Sequence, residues 1–173
     1  MENRFSYAQH SEEMLTQLPK GAFLSVETDG RINTMTIGWG FIGFMWQLPV
    51  MVVAVRPTRF TYELLEKSGQ FTVSVPLNKQ LKKELAGAGS TSGRDLDKFS
   101  RFNLTPQAGK EVGCPVIREC QLFYECQMIY KQVLDENSLD PDLKLQYYPL
   151  EDYHTLYFGK ILTSYKKEAL SSD

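Results

Sequence analysis

Histidine is nearly missing from this chain, present only at His10 and His154, and cysteine occurs three times, at Cys114, Cys120 and Cys126. Hydrolytic and metal-dependent enzymes draw most of their nucleophiles, bases and ligands from these residue types. No GxSxG, HExxH or phosphate-loop sequence makes up for the shortage. Three thiols are an odd number, and 173 residues can bury a core without covalent staples. A disulfide framework is therefore not expected, and a cytoplasmic location is. Were Cys120 and Cys126 on one strand, six residues at about 3.3 Å each would part them by about 20 Å, too far for one zinc ion. Buried packing is their expected role, and no metal is expected.

Long apolar runs are missing as well. Those near residues 42–45 and 49–55 fall far short of the ~20 residues that cross a bilayer, and the opening MENRFSYAQHSEE is too polar for a signal peptide. Neither charge sign dominates: 19 Lys+Arg face 21 Asp+Glu, for a formal net charge of -2. Such a balance gives no general attraction to nucleic acid or to an anionic membrane, so an anion would have to be held by a few well-placed groups. No repeat, biased tract or linker divides the chain, and one domain over residues 1–173 is expected.

What the chain does have is alternation. From Gly21, residues Ala22, Leu24 and Val26 fall on one face of a strand, and Asp29-Gly30 is a hairpin signal. Residues 32–39 resume as a strand rich in small polar side chains. Residues 49–55 (PVMVVAV) are apolar on both faces, as in a strand buried on two sides. Pro57 ends it, and Thr58 is the expected N-cap of a helix that turns Phe60, Leu64 and Leu65 inward and closes at Gly69. Residues 71–75 read as a strand, and Asn78 as the cap of a helix carrying Leu81 and Leu85. Residues 90–97 (STSGRDLD) read as a polar loop. Residues 120–130 alternate as a long strand with Gln121, Glu125 and Gln127 on a wet side. Residues 134–153 form an acidic, aromatic-containing connection with little periodicity, and 155–162 a last strand. A short helix over 7–15 precedes everything. Strands outnumber helices, and only one stretch reads strand–helix–strand. The expected fold is mainly β, a barrel of antiparallel strands with a few peripheral helices.

Two stretches offer an anion site. Arg56-Pro57-Thr58-Arg59-Phe60-Thr61 sets two guanidiniums and two hydroxyls where a buried strand enters a helix. The free amides and positive dipole end of that helix favour an anion, and arginine matches phosphate oxygens in pairs. Gly89-Ser90-Thr91-Ser92-Gly93-Arg94 adds three hydroxyls, two glycines and another arginine, the makings of a nest of converging amides. The plain alternative is a capped helix with solvated arginines beside an ordinary polar loop. Asn33-Thr34-Met35-Thr36-Ile37-Gly38-Trp39 would let a flat ligand lie against a strand, or else is an edge strand facing water.

In order and spacing these segments resemble the flavin reductase family, FMN-binding split-barrel proteins that include flavoredoxin. GAFLSV from Gly21 resembles the family's first strand and the run from Asn33 its flavin-facing strand. Residues 49–61 are similar to its strand, Arg-x-x-Arg turn and helix start, and GSTSGRDLDKF from Gly89 to its Ser-Gly-Arg loop. Residues 114–126 and 154–161 resemble its last two strands. The resemblance implies a split β-barrel and a homodimer with FMN near the subunit boundary. It also implies hydride exchange at the flavin with NADH or NADPH, and a small-molecule or redox-protein electron partner. Carried over residue by residue, Asn33, Thr34, Met35 and Thr36 would line the ring and ribityl chain. Arg56, Thr58, Arg59 and Thr61 would hold the phosphate, with Ser90, Ser92, Arg94 and Lys98 on the neighbouring loop. No side chain is implied as catalytic. Members often carry Gly-Asp-His before the last strand where this chain has Asp152-Tyr153-His154, which makes His154 a substrate-side candidate only. Three functions stay open: an NAD(P)H-dependent flavin reductase, a flavoredoxin-like electron carrier, or a ligand-binding module without chemistry.

Overall fold

The two edge strands of the sheet are consecutive in the chain, and this shapes everything else. The computed structural model describes residues 7–167, the Lys79 side chain excepted. Its main sheet has seven strands: β1 (Ala22–Thr28), β2 (Arg31–Ile37), β3 (Gly40–Met45), β4 (Leu48–Val55), β5 (Gln70–Val75), β8 (Leu122–Val133) and β9 (Thr155–Lys166). They pair antiparallel throughout in the order β2-β1-β5-β8-β9-β4-β3. β2 and β3 therefore sit at opposite edges, yet only Gly38 and Trp39 lie between them. One residue spans at most roughly 3.3–3.6 Å, so this link forces the sheet to curl until its edges approach. β2 pairs with β1 alone and β3 with β4 alone. The curled sheet is a barrel left split along one seam, and the Ala54 amide, donating to the Trp39 carbonyl (3.3 Å), extends the β3–β4 pairing into the two-residue link.

Both faces of the curled sheet are covered over much of its length. Leu24, Val26, Val53, Phe71, Val73 and Tyr124 share one core with Phe60, Leu64 and Leu65 of α2 (Phe60–Ser68) and Met14 of α1 (Ser11–Gln17). Phe23 and Phe123, one position along from Leu24 and Tyr124, turn the other way. They meet Leu85 and Ala88 of α3 (Lys82–Ser90), Phe99 of α4 (Lys98–Arg101), and Val116 and Ile117 of a small ribbon, β6 (Pro106–Gln107) with β7 (Val116–Ile117). Among the described residues no helix is long and apolar enough to cross a membrane.

The mainly β barrel, the Asp29-Gly30 hairpin (φ 53 and 76) and the doubly buried β4 match the sequence pattern. Several details do not. β3 carries no alternation and ends in a Trp46-Gln47 turn with φ of 54 and 58, held by residues that rarely signal such a turn. The first helix begins at Ser11, the part of residues 7–15 before it being turn. Arg59, not Thr58, occupies the N-cap of α2, and Leu81, not Asn78, that of α3; a 3-10 turn over Lys79–Leu81 intervenes. The expected wet face of residues 120–130 is dry at Glu125, because the outer layer covers it. The Glu125 carboxylate accepts the amides of Lys110 (2.8 Å), Glu111 (2.7 Å) and Val112 (3.2 Å) and the Tyr165 hydroxyl (2.7 Å). Within residues 134–153 a helix, α5 (Pro141–Tyr147), starts where the Asp140 carboxylate accepts the amides of Asp142 and Leu143 and Pro141 takes the first turn.

Gly159 sits mid-strand in β9 between Met51 and Met128, and a Cβ there would come within 2.5 Å of the Phe71 ring and 2.7 Å of the Cys126 Cβ. Gly159→Ala is expected to cost about 1–3 kcal/mol, the usual penalty of overfilling a packed core, measured as a lower urea midpoint at unchanged slope.

Candidate functional site

The seam opens onto two adjoining hollows. β4 stops at Val55 because Pro57 has no amide to give. The chain then turns, with the Arg59 amide donating to the Arg56 carbonyl (3.0 Å), and enters α2. The first amides of a helix have no acceptor inside it. Here they border a hollow of about 150 Å³ lined by Thr58, Arg59, Phe60 and Thr61 on one side and Ser90, Thr91, Ser92, Gly93, Arg94 and Lys98 on the other, with Met35 as its floor. The loop approaches this closely only because residue 93 is glycine: a Cβ there would run into the Asn33 side-chain amide and the Phe60 ring.

Three cations border this space. Lys98 is 4% exposed, and its ammonium donates to one neutral acceptor, the Ala88 carbonyl (2.7 Å). Burial, aided by Arg59 nearby, pulls its pKa down to about 8. Arg59 Nη1 donates to the Gly89 carbonyl (2.7 Å). Arg94 pairs with Glu63 and donates to the Thr58 carbonyl (3.3 Å). A buried ammonium with a single neutral partner is poorly compensated, and an anion in the hollow would supply the missing charge.

The second hollow, about 190 Å³, shares Met35 and Arg59 with the first and continues along Thr36, Ile37, Gly38 and Trp39 to Ala54, Arg56 and His154. Joined, the two reach the lower end of the roughly 300–1,000 Å³ typical of small-molecule sites. The arm at residues 134–154 borders the second hollow through His154 and packs behind Arg56. Arg56 donates to the Asp152 carboxylate (2.5 Å), the Asp152 carbonyl (3.1 Å) and the Tyr147 carbonyl (2.8 Å), and lies 4.9 Å from the centre of the Tyr148 ring. The Tyr148 hydroxyl meets His154 Nδ1 at 2.8 Å. Trp39 contacts the His154 ring (centroids 4.8 Å apart) and the Tyr147 ring (5.2 Å). Burial, with Arg56 adding to it against Asp152, pushes the His154 pKa down to about 4, so the imidazole is neutral at pH 7.

Most residues expected at a site converge here. Thr58, Arg59, Thr61, Ser90, Ser92, Arg94 and Lys98 all line the cationic hollow, and Met35 floors both. The Thr61 hydroxyl accepts from the Asn33 side chain (2.8 Å), so Asn33 braces the start of α2 rather than the ring-side hollow. Thr34 turns the other way, bonding the Leu24 carbonyl and the Ser25 hydroxyl, because alternate residues of β2 face opposite sides of the sheet. Thr36 reaches the second hollow while donating to the Leu85 carbonyl (2.6 Å). Arg56, expected on the phosphate, lines the second hollow rather than the cationic one and gives three hydrogen bonds to the arm. Trp39 closes the run expected along a flat ligand without being singled out, and the pattern gave no site signal at Tyr147, Tyr148 or Asp152, nor at Phe60, which stacks beneath Arg31 (4.3 Å) and Arg94 (5.4 Å). Trp39 was the legible one, since it directly follows the small-polar run. The three cysteines are buried and free, and burial raises the pKa of each.

The profile of the flavin reductase-like domain matches residues 17–172. An uncharacterized protein of Archaeoglobus fulgidus is 30% identical over 121 residues, 70% of this chain and 67% of its own length. Among solved structures, flavoredoxin of Desulfovibrio vulgaris is similar with a TM-score of 0.68 and 25% identity, over 88% of this chain and 72% of that one. An FMN-binding protein from Thermus thermophilus, solved with bound 1-cyclohex-2-enone, is similar in fold (TM-score 0.66, 24% identity, 88% and 72% covered).

The His154 environment predicts acid sensitivity. Its pKa is about 4 folded against the ordinary 6.5, so between those values the unfolded chain binds the extra proton and stability falls as pH falls. His154→Asn should flatten the decline in urea midpoint between pH 6.5 and 4 relative to wild type.

Proposed function

The chain belongs to the flavin reductase-like domain family, and from that premise we propose that it binds FMN along the barrel seam and works as a flavin oxidoreductase with NADH or NADPH as hydride donor. The observation that carries this reading is the pairing of the two hollows: one cationic and rich in hydroxyls, one walled by Trp39 and the Thr36–Gly38 backbone, joined at Met35 and Arg59. A flat ring system ending in a phosphate monoester matches that division. The under-compensated ammonium of Lys98 supports the fit from the protein side. Arg59, Arg94, Lys98, Thr58, Ser90 and Ser92 would hold the phosphate, and Met35, Thr36 and Trp39 would border the ring.

Flavin supplies hydride exchange when bound, and no acid–base pair of the protein is needed for it. The chain's own part is positional. Fixed dipoles of the β2 backbone and the α2 amides face the ligand without having to reorganise. A second reading, a flavoredoxin-like electron carrier, draws on the arm at residues 134–154, which His154 brings to the border of the second hollow and against the Trp39 ring, on the side a free nicotinamide would have to enter. Anaerobic addition of NADH and NADPH to FMN-loaded protein separates the two: rapid bleaching supports the reductase, while a yellow protein reduced only by dithionite supports the carrier. Protein that stays colourless after FMN addition would overturn both.

We also propose a homodimer. β3 is an edge strand, and it presents Phe41, Phe44 (57% exposed), Met45 and Trp46 (51% exposed) next to Tyr130 of β8. An apolar strip of this kind beside unpaired strand edges is normally covered.

Three results are expected. Arg59→Ala should weaken FMN binding roughly 10- to 100-fold, the scale of a lost charged hydrogen bond, whereas Arg56→Ala should leave it within about twofold, both read by fluorescence titration. Affinity for FMN should also fall as pH rises through about 8, where Lys98 loses its proton; the phosphate, with a second pKa near 6, is already dianionic there. By light scattering, the wild type should have twice the 19.8 kDa chain mass and Phe44→Asp the mass of one chain.

A further inference from the structure

The bond between Tyr148 and His154 has a direction that the surroundings decide. Both side chains are nearly buried, 5% and 9% exposed, and the hydroxyl oxygen lies 2.8 Å from Nδ1. If Nδ1 carried the proton and donated it, the hydroxyl hydrogen of Tyr148 would be left without an acceptor inside the protein. If Tyr148 donates, both groups are satisfied and the imidazole proton moves to Nε2. Among the described residues Nε2 has no protein partner, and it belongs to a side chain that lines the second hollow. The arm holds this arrangement in place, since Asp152 and the Tyr147 carbonyl grip Arg56 at the end of β4.

We propose that Tyr148 is a positioning residue that fixes His154 in the Nε2–H tautomer, so that the second hollow offers one N–H donor to the carbonyl oxygen of a planar, conjugated molecule. The walls select the same chemistry. Trp39, Ile37, Met35 and Ala54 suit a flat apolar body. Arg56 spends three of its donors on the Asp152 carboxylate and carbonyl and the Tyr147 carbonyl, and the Asp152 carboxylate balances its charge, so this end of the hollow favours neither a cation nor an anion. This assignment rests on the flavin reading only in that the carbonyl compound would meet a flavin there; the tautomer does not depend on it.

The experiment is long-range ¹H–¹⁵N correlation on protein labelled with ¹⁵N-histidine and free of flavin, followed by titration with p-hydroxybenzaldehyde. The chain has two histidines, and His154→Asn assigns the signals. We expect a pure Nε2–H pattern for His154 in wild type and a mixture in Tyr148→Phe. We expect the aldehyde to shift the His154 signals and to bind about fivefold or more weakly to Tyr148→Phe, the order of one lost hydrogen bond, while FMN affinity changes less than about twofold. An Nδ1–H pattern in the wild type, which needs no variant to fold, overturns the proposal. So does equal aldehyde affinity in the two proteins. A chain with the Nε2–H pattern and aldehyde-dependent shifts that fails to bind FMN would overturn the flavin reading and leave the Tyr148 assignment standing.

Discussion

A two-residue tether between opposite edges of one sheet is the constraint on which the molecule depends. Gly38 and Trp39 join β2 to β3, and no flat seven-stranded sheet could accommodate them. Curling brings β2 near β4 and leaves the outer edge of β2 without a strand partner across the gap. Both hollows lie along that gap. The polar backbone of the seam, which a closed barrel would have consumed in pairing, remains able to face a ligand. The helix that follows β4 then starts where the gap ends, so its free amides complete the cationic hollow.

The two arginines of the turn after β4 show how sequence pattern and tertiary context divide the information. Arg56-Pro57-Thr58-Arg59 reads as one cluster, and both guanidiniums look equivalent in the sequence. In the fold they part. Arg59 faces Gly89 and Lys98 in the cationic hollow, while Arg56 turns toward an arm almost a hundred residues later, where Asp152 neutralises it. Nothing in the spacing could tell them apart, because the partner that decides lies in the segment with the least periodicity.

Much of the architecture was legible for simple reasons. Asp29-Gly30 gave the first hairpin because only a few residues adopt its backbone readily, and residues 49–55 gave a buried central strand because they are apolar on both faces. Residues 58–61 and 90–98 stood out for their hydroxyls, guanidiniums and glycines, all conspicuous in sequence, and they meet around one hollow. β3 escaped because its exposed aromatic side chains break the alternation, and its turn uses Trp46 and Gln47 with positive φ. Glu125 was misjudged as wet, since a carboxylate inside an alternating strand gives no hint that three amides and a tyrosine await it. Tyr148 and His154 are six residues apart, at a spacing with no regular meaning, and only the fold brings them together.

The grip of Asp152 and the Tyr147 carbonyl on Arg56 separates two jobs that small proteins often entangle. The cationic hollow is made from the sheet edge, α2 and the loop at residues 90–98, all fastened to the packed core. Its neighbour is bordered at His154 by a surface excursion docked at one guanidinium. Changes of length or composition in that excursion would redraw what the molecule meets while leaving untouched what it holds, so kindred chains could diversify their reaction partners without renegotiating the barrel.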